Sequence, residues 1–239
     1  MTVLPQSIGI SLVDKIRADI LTARLRPGTK LTVKTLGDLH ACGATPVREA
    51  LTQLASDGLV LRIDRRGFFV AGLSRAEFED ILFNRCFLEG EALRRSIQRG
   101  GTDWEEAVLI AHHRLLAAAR DASEPGAPNP GWEQAHKGFH MALLSACASP
   151  ILLAHCDKLH ELNNRYRIFA RRAQGPARPV GDEHLHLRDL ALTRQADAAV
   201  AALADHYRRT GKVIFDTAFD TAPAVRTGRA TPRPQEISG

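Results

Sequence analysis

The feature that most constrains the fold of this chain is a short helical segment, a tight break and a second helical segment, in that order. The first segment covers residues 33–39, and Thr32 before it suits the N-cap of a helix. A Cys-Gly-Ala break follows at residues 42–44, and the Thr-Pro pair at residues 45–46 opens the next segment, with proline in the first turn. Apolar residues at helical spacing over residues 7–24 predict a further helix ahead of the pair.

A two-stranded hairpin is predicted directly after these helices. Gly58 ends the last helix, and the β-rich stretches at residues 59–63 and 68–70 flank a basic turn at residues 64–67. Helix, short helix, break, helix and basic hairpin form the order of a winged helix-turn-helix, which binds DNA. The sequence therefore predicts a DNA-binding domain over residues 1–72.

The distribution of charge agrees with this prediction. The net charge is +5, and residues 1–73 hold ten Lys and Arg against six Asp and Glu. Residues 74–220 hold nineteen basic residues against twenty acidic ones. An N-terminal excess of positive charge favours contact with phosphates.

Several residues of this unit are candidates for DNA contact. Arg48 lies in the first turn of the second helix of the pair, where it can bind a guanine edge or a phosphate, or else pair with a neighbouring carboxylate. Thr45 suits a phosphate at the helix N-terminus. Arg65 and Arg66 at the hairpin tip either enter a groove of the DNA or form a solvated turn. The complete predicted set is Lys34, Thr45, Pro46, Arg48, Arg65, Arg66 and Gly67.

From residue 74 onward the sequence pattern is helical. Ser74 and Thr102 each begin a capping box, and no strand signal follows. The predicted helices cover residues 74–99, 102–121, 132–147, 150–173, 182–194 and 196–219. The fold class is therefore mainly α: an N-terminal winged helix-turn-helix, with three helices and a β-hairpin wing, and a C-terminal all-α helical bundle over residues 73–220. The tail, residues 221–239, is expected to be disordered because it has little apolar surface to bury.

The sequence shows no sign of membrane insertion or export. It has no run of 18 apolar residues, and residues 1–9 lack the basic and apolar parts of a secretory signal. The four cysteines form no C-x-x-C pair, which disfavours a thiolate zinc site. We therefore expect a cytoplasmic protein with reduced thiols and no membrane partner.

Two of the ten histidines stand one helical turn apart. His136 and His140 share a face of one helix, so they can hold one metal ion, although a half-exposed histidine pair is equally common. His184 and His206, near the inner faces of the last two helices, can complete such a site. Lys137 follows His136 where zinc hydrolases carry a glutamate base. The histidines expected at the surface are His112, His113, His155, His160 and His186.

Several motifs resemble a known family. The N-terminal segment resembles the DNA-binding domain of the GntR family of transcription regulators, and the C-terminal segment resembles the FCD-type ligand domain of its FadR-like subfamily. The N-terminal motifs are Leu25-x-Pro27-Gly28-x-x-Leu31, Thr45-Pro46-Val47-Arg48-Glu49-Ala50-Leu51-x-x-Leu54, Asp57-Gly58-Leu59-Val60 and Arg66-Gly67-x-x-Val70, and the C-terminal ones are Arg85-x-x-x-Glu89 and Phe139-His140. The family usually has Ser-Arg before Thr-Pro, whereas this chain has Gly43-Ala44 and so lacks a common DNA contact.

The resemblance implies a metal site in the helical domain. Many members of the subfamily bind a metal through one Asp and three His, which correspond here to His140, His184 and His206, with His136 in place of the Asp. The implied metal is a divalent transition metal, zinc or alternatively nickel, because imidazole suits several such ions.

The resemblance also implies a small carboxylate effector. Arg85 is the first candidate to clamp that acid and Arg165 the second, although Arg85 can instead pair with Glu89. Residues 132–150 and 165–169 are similar to the branch of the subfamily that regulates glutarate and 4-aminobutyrate catabolism. This similarity implies a short dicarboxylate such as glutarate.

The sequence thus predicts a transcription regulator, a repressor and not an enzyme. It would bind a double-stranded DNA operator as a homodimer and respond to a metal and a small carboxylate. One alternative is a metal-dependent enzyme built on the helical domain, but no Asp or Glu stands where it could act as acid or base beside the paired histidines. Another is an architectural DNA-binding protein, which would not need four separated histidines.

Overall fold

The N-terminal part folds as three helices and a small sheet. The computed structural model describes residues 11–120, 128–174 and 180–219, so the predicted tail and the start of the first predicted helix lie outside the described residues. The elements are α1 (Leu12–Leu21), β1 (Lys30–Leu31), α2 (Val33–His40), α3 (Ala44–Ser56), β2 (Val60–Ile63) and β3 (Gly67–Val70).

Local interactions explain where these elements begin and end. Thr32 caps α2 as predicted, since its Oγ1 accepts a hydrogen bond from the backbone N–H of Thr35 at 3.1 Å. Ala41 adopts a left-handed conformation (φ 52°) that ends α2 and turns the chain toward α3. Gly58, at φ 77°, follows α3 in a conformation that favours glycine. The helices pack through buried apolar residues, which are Ile16, Ile20, Leu36, Val47, Leu51 and Leu54.

The sheet contains one more strand than the sequence predicted. β2 and β3 form the expected antiparallel hairpin, and β1 pairs with the other edge of β3, with Lys30 opposite Phe69. β1 has only two residues, so it is too short to show the alternation by which strands are recognised. The hairpin tip is tight, because Arg65 (φ 58°) and Gly67 (φ 94°) both have positive φ.

The C-terminal part is a bundle of helices. Its elements are α4 (Arg75–Asn84), a π-helical turn (Arg85–Glu89), α5 (Gly90–Arg99), α6 (Thr102–Ala117), α7 (Pro130–Leu144), α8 (Pro150–Gln174), α9 (Gly181–Leu192) and α10 (Ala196–Ala218). Ser74 caps α4 as predicted, but the predicted cap at Thr102 is wrong. Gly101 occupies that N-cap without a side-chain hydrogen bond, and Thr102 is already helical.

The π-helical turn was not predicted, and it joins α4 and α5 into one continuous helix. A wider turn shifts the faces of the helix, and here both Arg85 and Glu89 are buried, with 3% and 1% exposure. Such turns occur often at functional sites because they redirect side chains within a helix.

Helix α8 contacts the N-terminal domain just beyond the end of α3. Lys158 donates a hydrogen bond to the carbonyl of Asp57 at 2.7 Å. Arg165 donates to the carbonyl of Gly58 at 3.4 Å and pairs with Glu77 at 3.1 Å. Arg165, the second candidate to clamp the effector, thus lies at the junction between the two domains, where both terminal nitrogens of its guanidinium donate hydrogen bonds.

Candidate metal centre and DNA-binding surface

Three helices of the bundle bring the four predicted histidines together. Helix α7 carries His136 and His140, α9 carries His184 and α10 carries His206. All four are buried, and one nitrogen from each lies within 4.8 Å of the others. The i, i+4 spacing places the first pair on one face, and helix packing supplies the other two.

Side chains behind the cluster orient two of these rings. Nδ1 of His140 lies 3.2 Å from the hydroxyl of Tyr207, which in turn donates to Glu89. Nδ1 of His206 lies 2.7 Å from Oε2 of Glu183. Contacts of this kind fix which ring nitrogen faces a metal, since a carboxylate or hydroxyl holds the other one. Nε2 of His140 faces Nε2 of His136 at 3.2 Å, consistent with this orientation.

Burial keeps three of these imidazoles neutral, those of His136, His140 and His184. It holds the pKa of His136 and that of His140 well below their usual range, and the neighbouring histidines lower both further. Burial, with His206 nearby, lowers the pKa of His184 to about 2. A neutral imidazole has a free lone pair, which is the form that binds a metal.

The residues of the cluster fit a divalent transition metal. Within the described part of the chain, Nδ1 of His136 and Nε2 of His184 are buried without a hydrogen-bond partner. A buried polar atom left unsatisfied costs about 1–3 kcal/mol, and coordination would remove that cost where the atom faces the ion. Four imidazole nitrogens are a donor set that zinc, nickel and copper accept.

Arg85 lies beside the cluster but is engaged with its own helix. Its Nε donates to Glu89 at 2.6 Å, and its guanidinium lies 3.9 Å from the centre of the Tyr207 ring. This is the ion pair that the sequence left as an alternative. Because Tyr207 also contacts His140, Arg85 stands one side chain away from the centre.

The predicted DNA-contacting residues are exposed in the N-terminal domain. Two grooves run across this face. Lys34 lines one of them with Gly43 and Ala44, and Arg48 lines the other with Gly67. The complete exposed set is Lys34, Thr45, Pro46, Arg48, Arg65, Arg66 and Gly67. Among the residues that the structure describes, no carboxylate pairs with Arg48, so its guanidinium is available at the surface.

Comparisons with known proteins identify both domains. The family model described as "Bacterial regulatory proteins, gntR family" matches residues 11–70, and that of the FCD domain matches residues 80–209. An uncharacterized HTH-type transcriptional regulator, BphR of Paraburkholderia xenovorans, is 37% identical over 84% of this chain and 82% of its own length. This chain belongs to the GntR family. It is therefore a regulator that binds DNA, and not an enzyme.

Two further relatives of this GntR-family chain agree with its fold and class. The HTH-type transcriptional repressor GlaR of Escherichia coli is 35% identical over 71% of the chain and 77% of its own length. The solved structure of E. coli McbR/YncC has the same fold, with a TM-score of 0.70 at 18% identity over 87% of this chain and 96% of that one. No helix among the described residues is long and apolar enough to span a membrane.

Two histidines of this GntR-family chain lie where the sequence did not predict them. His112 and His160 are buried, with 2% and 4% exposure, so their expected surface position is wrong. His112 falls on the buried stripe of α6 with Trp104 and Val108, which are eight and four residues before it. That spacing was the available signal, since it continues the face of the helix that packs inward. The histidines that are exposed as expected are His113, His155 and His186.

Two further basic residues lie in the groove that Arg48 lines, and the sequence did not place them there. Lys30 and Arg62 line this groove, between α3 and the wing. Lys30 belongs to the short strand β1, whose existence was not predicted, and Arg62 lies on β2 directly opposite Phe68 of β3. Both positions depend on the sheet, which brings them beside α3.

Proposed function

We propose that this regulator is a repressor that binds its operator as a homodimer and releases it when a metal-bound carboxylate occupies the helical domain. The observation that carries the proposal is the buried cluster of His136, His140, His184 and His206, whose nitrogens converge within 4.8 Å. A cluster of this kind has no role in reading DNA, and it lies in the domain that contacts the end of α3 through α8.

The metal we propose is zinc, with nickel as the alternative. Held there by four imidazoles, the ion would accept a carboxylate oxygen by adding a further ligand to those four. Imidazole ligands carry no charge, so they leave the charge of a divalent ion uncompensated, which favours an anionic further ligand. Arg85, one side chain from His140, is proposed to hold the other end of the acid.

The effector we propose is a short dicarboxylate such as glutarate. The support is chemical: an ion held by the four histidines would accept an anion, and the guanidinium of Arg85 lies one side chain from His140, so a dicarboxylate would have a partner for each end. The sequence similarity over residues 132–150 supports the same class of acid.

The operator-binding surface we propose comprises the first turn of α3 and the wing. Gly43 caps α3 without a side-chain hydrogen bond, which leaves backbone N–H groups for a phosphate beside Thr45. Arg48 and the wing residues Arg65 and Arg66 extend this surface. One such module buries little DNA, so two linked modules on an inverted repeat are expected. Light scattering and footprinting check this: a monomer with an asymmetric footprint would rule out the dimer.

One set of measurements tests the sensing part of the proposal. The wild-type protein, a His140→Ala variant and a His155→Ala control are compared by metal content, by melting shift with glutarate, and by affinity for an operator selected from random duplexes. His155 is exposed on α8, so its removal is expected to change nothing. The wild type and control should hold one metal per chain and respond to the acid, whereas His140→Ala should lose both properties and keep operator affinity. A His140→Ala protein with full metal content and acid response would refute the proposed centre.

A further inference from the structure

A fifth histidine borders the metal centre without joining it. His160 lies on α8 with 4% exposure, and its ring centre is 5.7 Å from that of His136 and 6.1 Å from that of His140. It is not one of the four histidines whose nitrogens converge. Its position is therefore beside the centre, on the side formed by α8.

The imidazole of His160 has an unused hydrogen-bonding atom. Its Nδ1 is buried and has no hydrogen-bond partner in the described part of the chain. A buried polar atom without a partner is rare in folded proteins, and each case calls for an explanation, such as a ligand that supplies the missing partner. A neutral imidazole offers one N–H donor and one acceptor, so it can bind an oxygen atom of a small molecule.

The ring of His160 is neutral. Burial holds its pKa well below the usual range, and the nearby positive charges of Arg85, Arg167 and Lys137 lower it further. Each of these cations is itself paired with a carboxylate, Arg85 with Glu89, Arg167 with Glu133, and Lys137 with Asp157 and Glu161. The group left to bind an incoming carboxylate is therefore the imidazole itself, through the buried ring nitrogen that has no partner.

We propose that His160 is a specificity-determining residue that donates a hydrogen bond to the second carboxylate of the effector, whose first carboxylate binds the metal. This inference rests on the proposed function, because it assumes an acid at the four-histidine centre. It assigns the class of ligand more narrowly: a short dicarboxylate is selected over a monocarboxylate because only the dicarboxylate reaches both groups.

The position of His160 also connects ligand binding to the DNA-binding domain. Lys158, two residues before it, and Arg165, five residues after it, hold the chain at the end of α3. A ligand that contacts His160 therefore acts on α8, and α8 is the helix whose side chains bind the backbone at the end of α3. Loss of this contact should leave repression intact and raise the concentration of acid that is needed for release.

The test compares wild-type protein with His160→Gln and His160→Phe, using His155→Gln on the same helix as the matched control. Metal content, binding of glutarate and of acetate by calorimetry, and operator affinity with and without glutarate are measured. Both His160 variants should hold the wild-type amount of metal. They should bind glutarate about ten- to hundredfold more weakly, which corresponds to one lost hydrogen bond to a charged group, and bind acetate within about twofold of wild type.

Several results would overturn the proposal. Loss of metal in both His160 variants would show that this residue is a metal ligand. Unchanged glutarate affinity would show that it does not contact the acid. Equal losses for glutarate and acetate would remove its role in specificity. A wild-type protein that binds metal but no acid would refute both this inference and the sensing function, whereas a wild type that binds glutarate alongside unaffected variants would refute this inference alone.

A measurement on the wild type covers the case in which neither variant folds. The histidine ¹⁵N spectrum of the metal-loaded protein is recorded during addition of glutarate and then of acetate. The Nδ1 or Nε2 resonance of His160 should shift with glutarate and stay in place with acetate. A His160 resonance that ignores glutarate while the melting temperature rises would exclude the contact.

Discussion

Arg48 is the residue on which reading of the operator most directly depends. It is exposed near the N-terminus of α3, as the fifth residue of that helix, and lines a groove with Lys30 and Arg62. Arg48→Ala should leave the melting temperature unchanged and weaken operator binding by about 1–3 kcal/mol, roughly ten- to hundredfold, because one bidentate contact is lost. The exposed Arg99, in the last turn of α5, provides the control. Equal affinity of Arg48→Ala and wild type at the same salt concentration would contradict the assignment of α3 as the recognition helix.

Glu183 is expected to affect the metal centre by contacting His206 and not as a metal ligand itself. Its Oε2 lies 2.7 Å from Nδ1 of His206, so it orients that ring and increases its basicity. Glu183→Gln should weaken metal affinity about ten- to hundredfold while the fold is retained, as chelator competition can measure. The exposed Glu79 on α4 offers a Glu→Gln control. Wild-type metal affinity in Glu183→Gln would show that this contact has no effect on the centre.

At the scale of residues, the sequence predicted the four clustered histidines better than their surroundings. The spacing of His136 and His140 determines that they share a face, whatever the helix packs against. His160 and Arg165 are five residues apart on α8, yet one borders the centre and the other binds the domain junction. Packing decides which face of a long helix contacts which neighbouring element. The sequence of that helix alone does not predict these contacts.

At the scale of elements, α8 is expected to link the effector site to the recognition helix. Arg165 donates to the carbonyl of Gly58 and pairs with Glu77, so its loss loosens this junction. Arg165→Met should keep metal content and glutarate affinity but reduce the effect of glutarate on operator affinity, and Arg165→Lys should restore part of it. Lys212→Met, on the exposed side of α10, is the control. An undiminished effect of the acid in Arg165→Met would show that the junction does not carry the signal.

The helices themselves were largely predictable because their signals are local. Thr32 and Ser74 cap α2 and α4 as expected, and apolar stripes define the long helices. The π-helical turn at residues 85–89 and the strand at residues 30–31 were missed because neither has a local signature. One depends on packing that draws two charged side chains inward, and the other on its pairing with β3.

At the scale of the whole molecule, the buried histidines make stability depend on pH. Burial holds the pKa values of His136, His140 and His160 well below the usual value of 6.5, to which they return on unfolding. Between the folded and unfolded pKa values, the unfolded chain therefore binds more protons than the folded chain. The free energy of unfolding should then be constant above about pH 6.5 and fall as the pH decreases, by up to about 1.4 kcal/mol per pH unit for each histidine.

This dependence can be measured in the metal-free protein and assigned to individual rings. Urea unfolding between pH 7.5 and 5.5 in the presence of chelator gives the slope of stability against pH. His160→Phe removes one buried histidine and keeps an aromatic ring, so its slope should be smaller by the contribution of one proton. A variant at the exposed His155 of the same helix, His155→Gln, is the matched control. Bound metal should shift the decrease in unfolding free energy to lower pH, because imidazoles that coordinate the ion resist protonation until the metal is released. A wild-type stability that stays level down to pH 5.5 would mean that the cluster is hydrated and not buried as a set of neutral imidazoles.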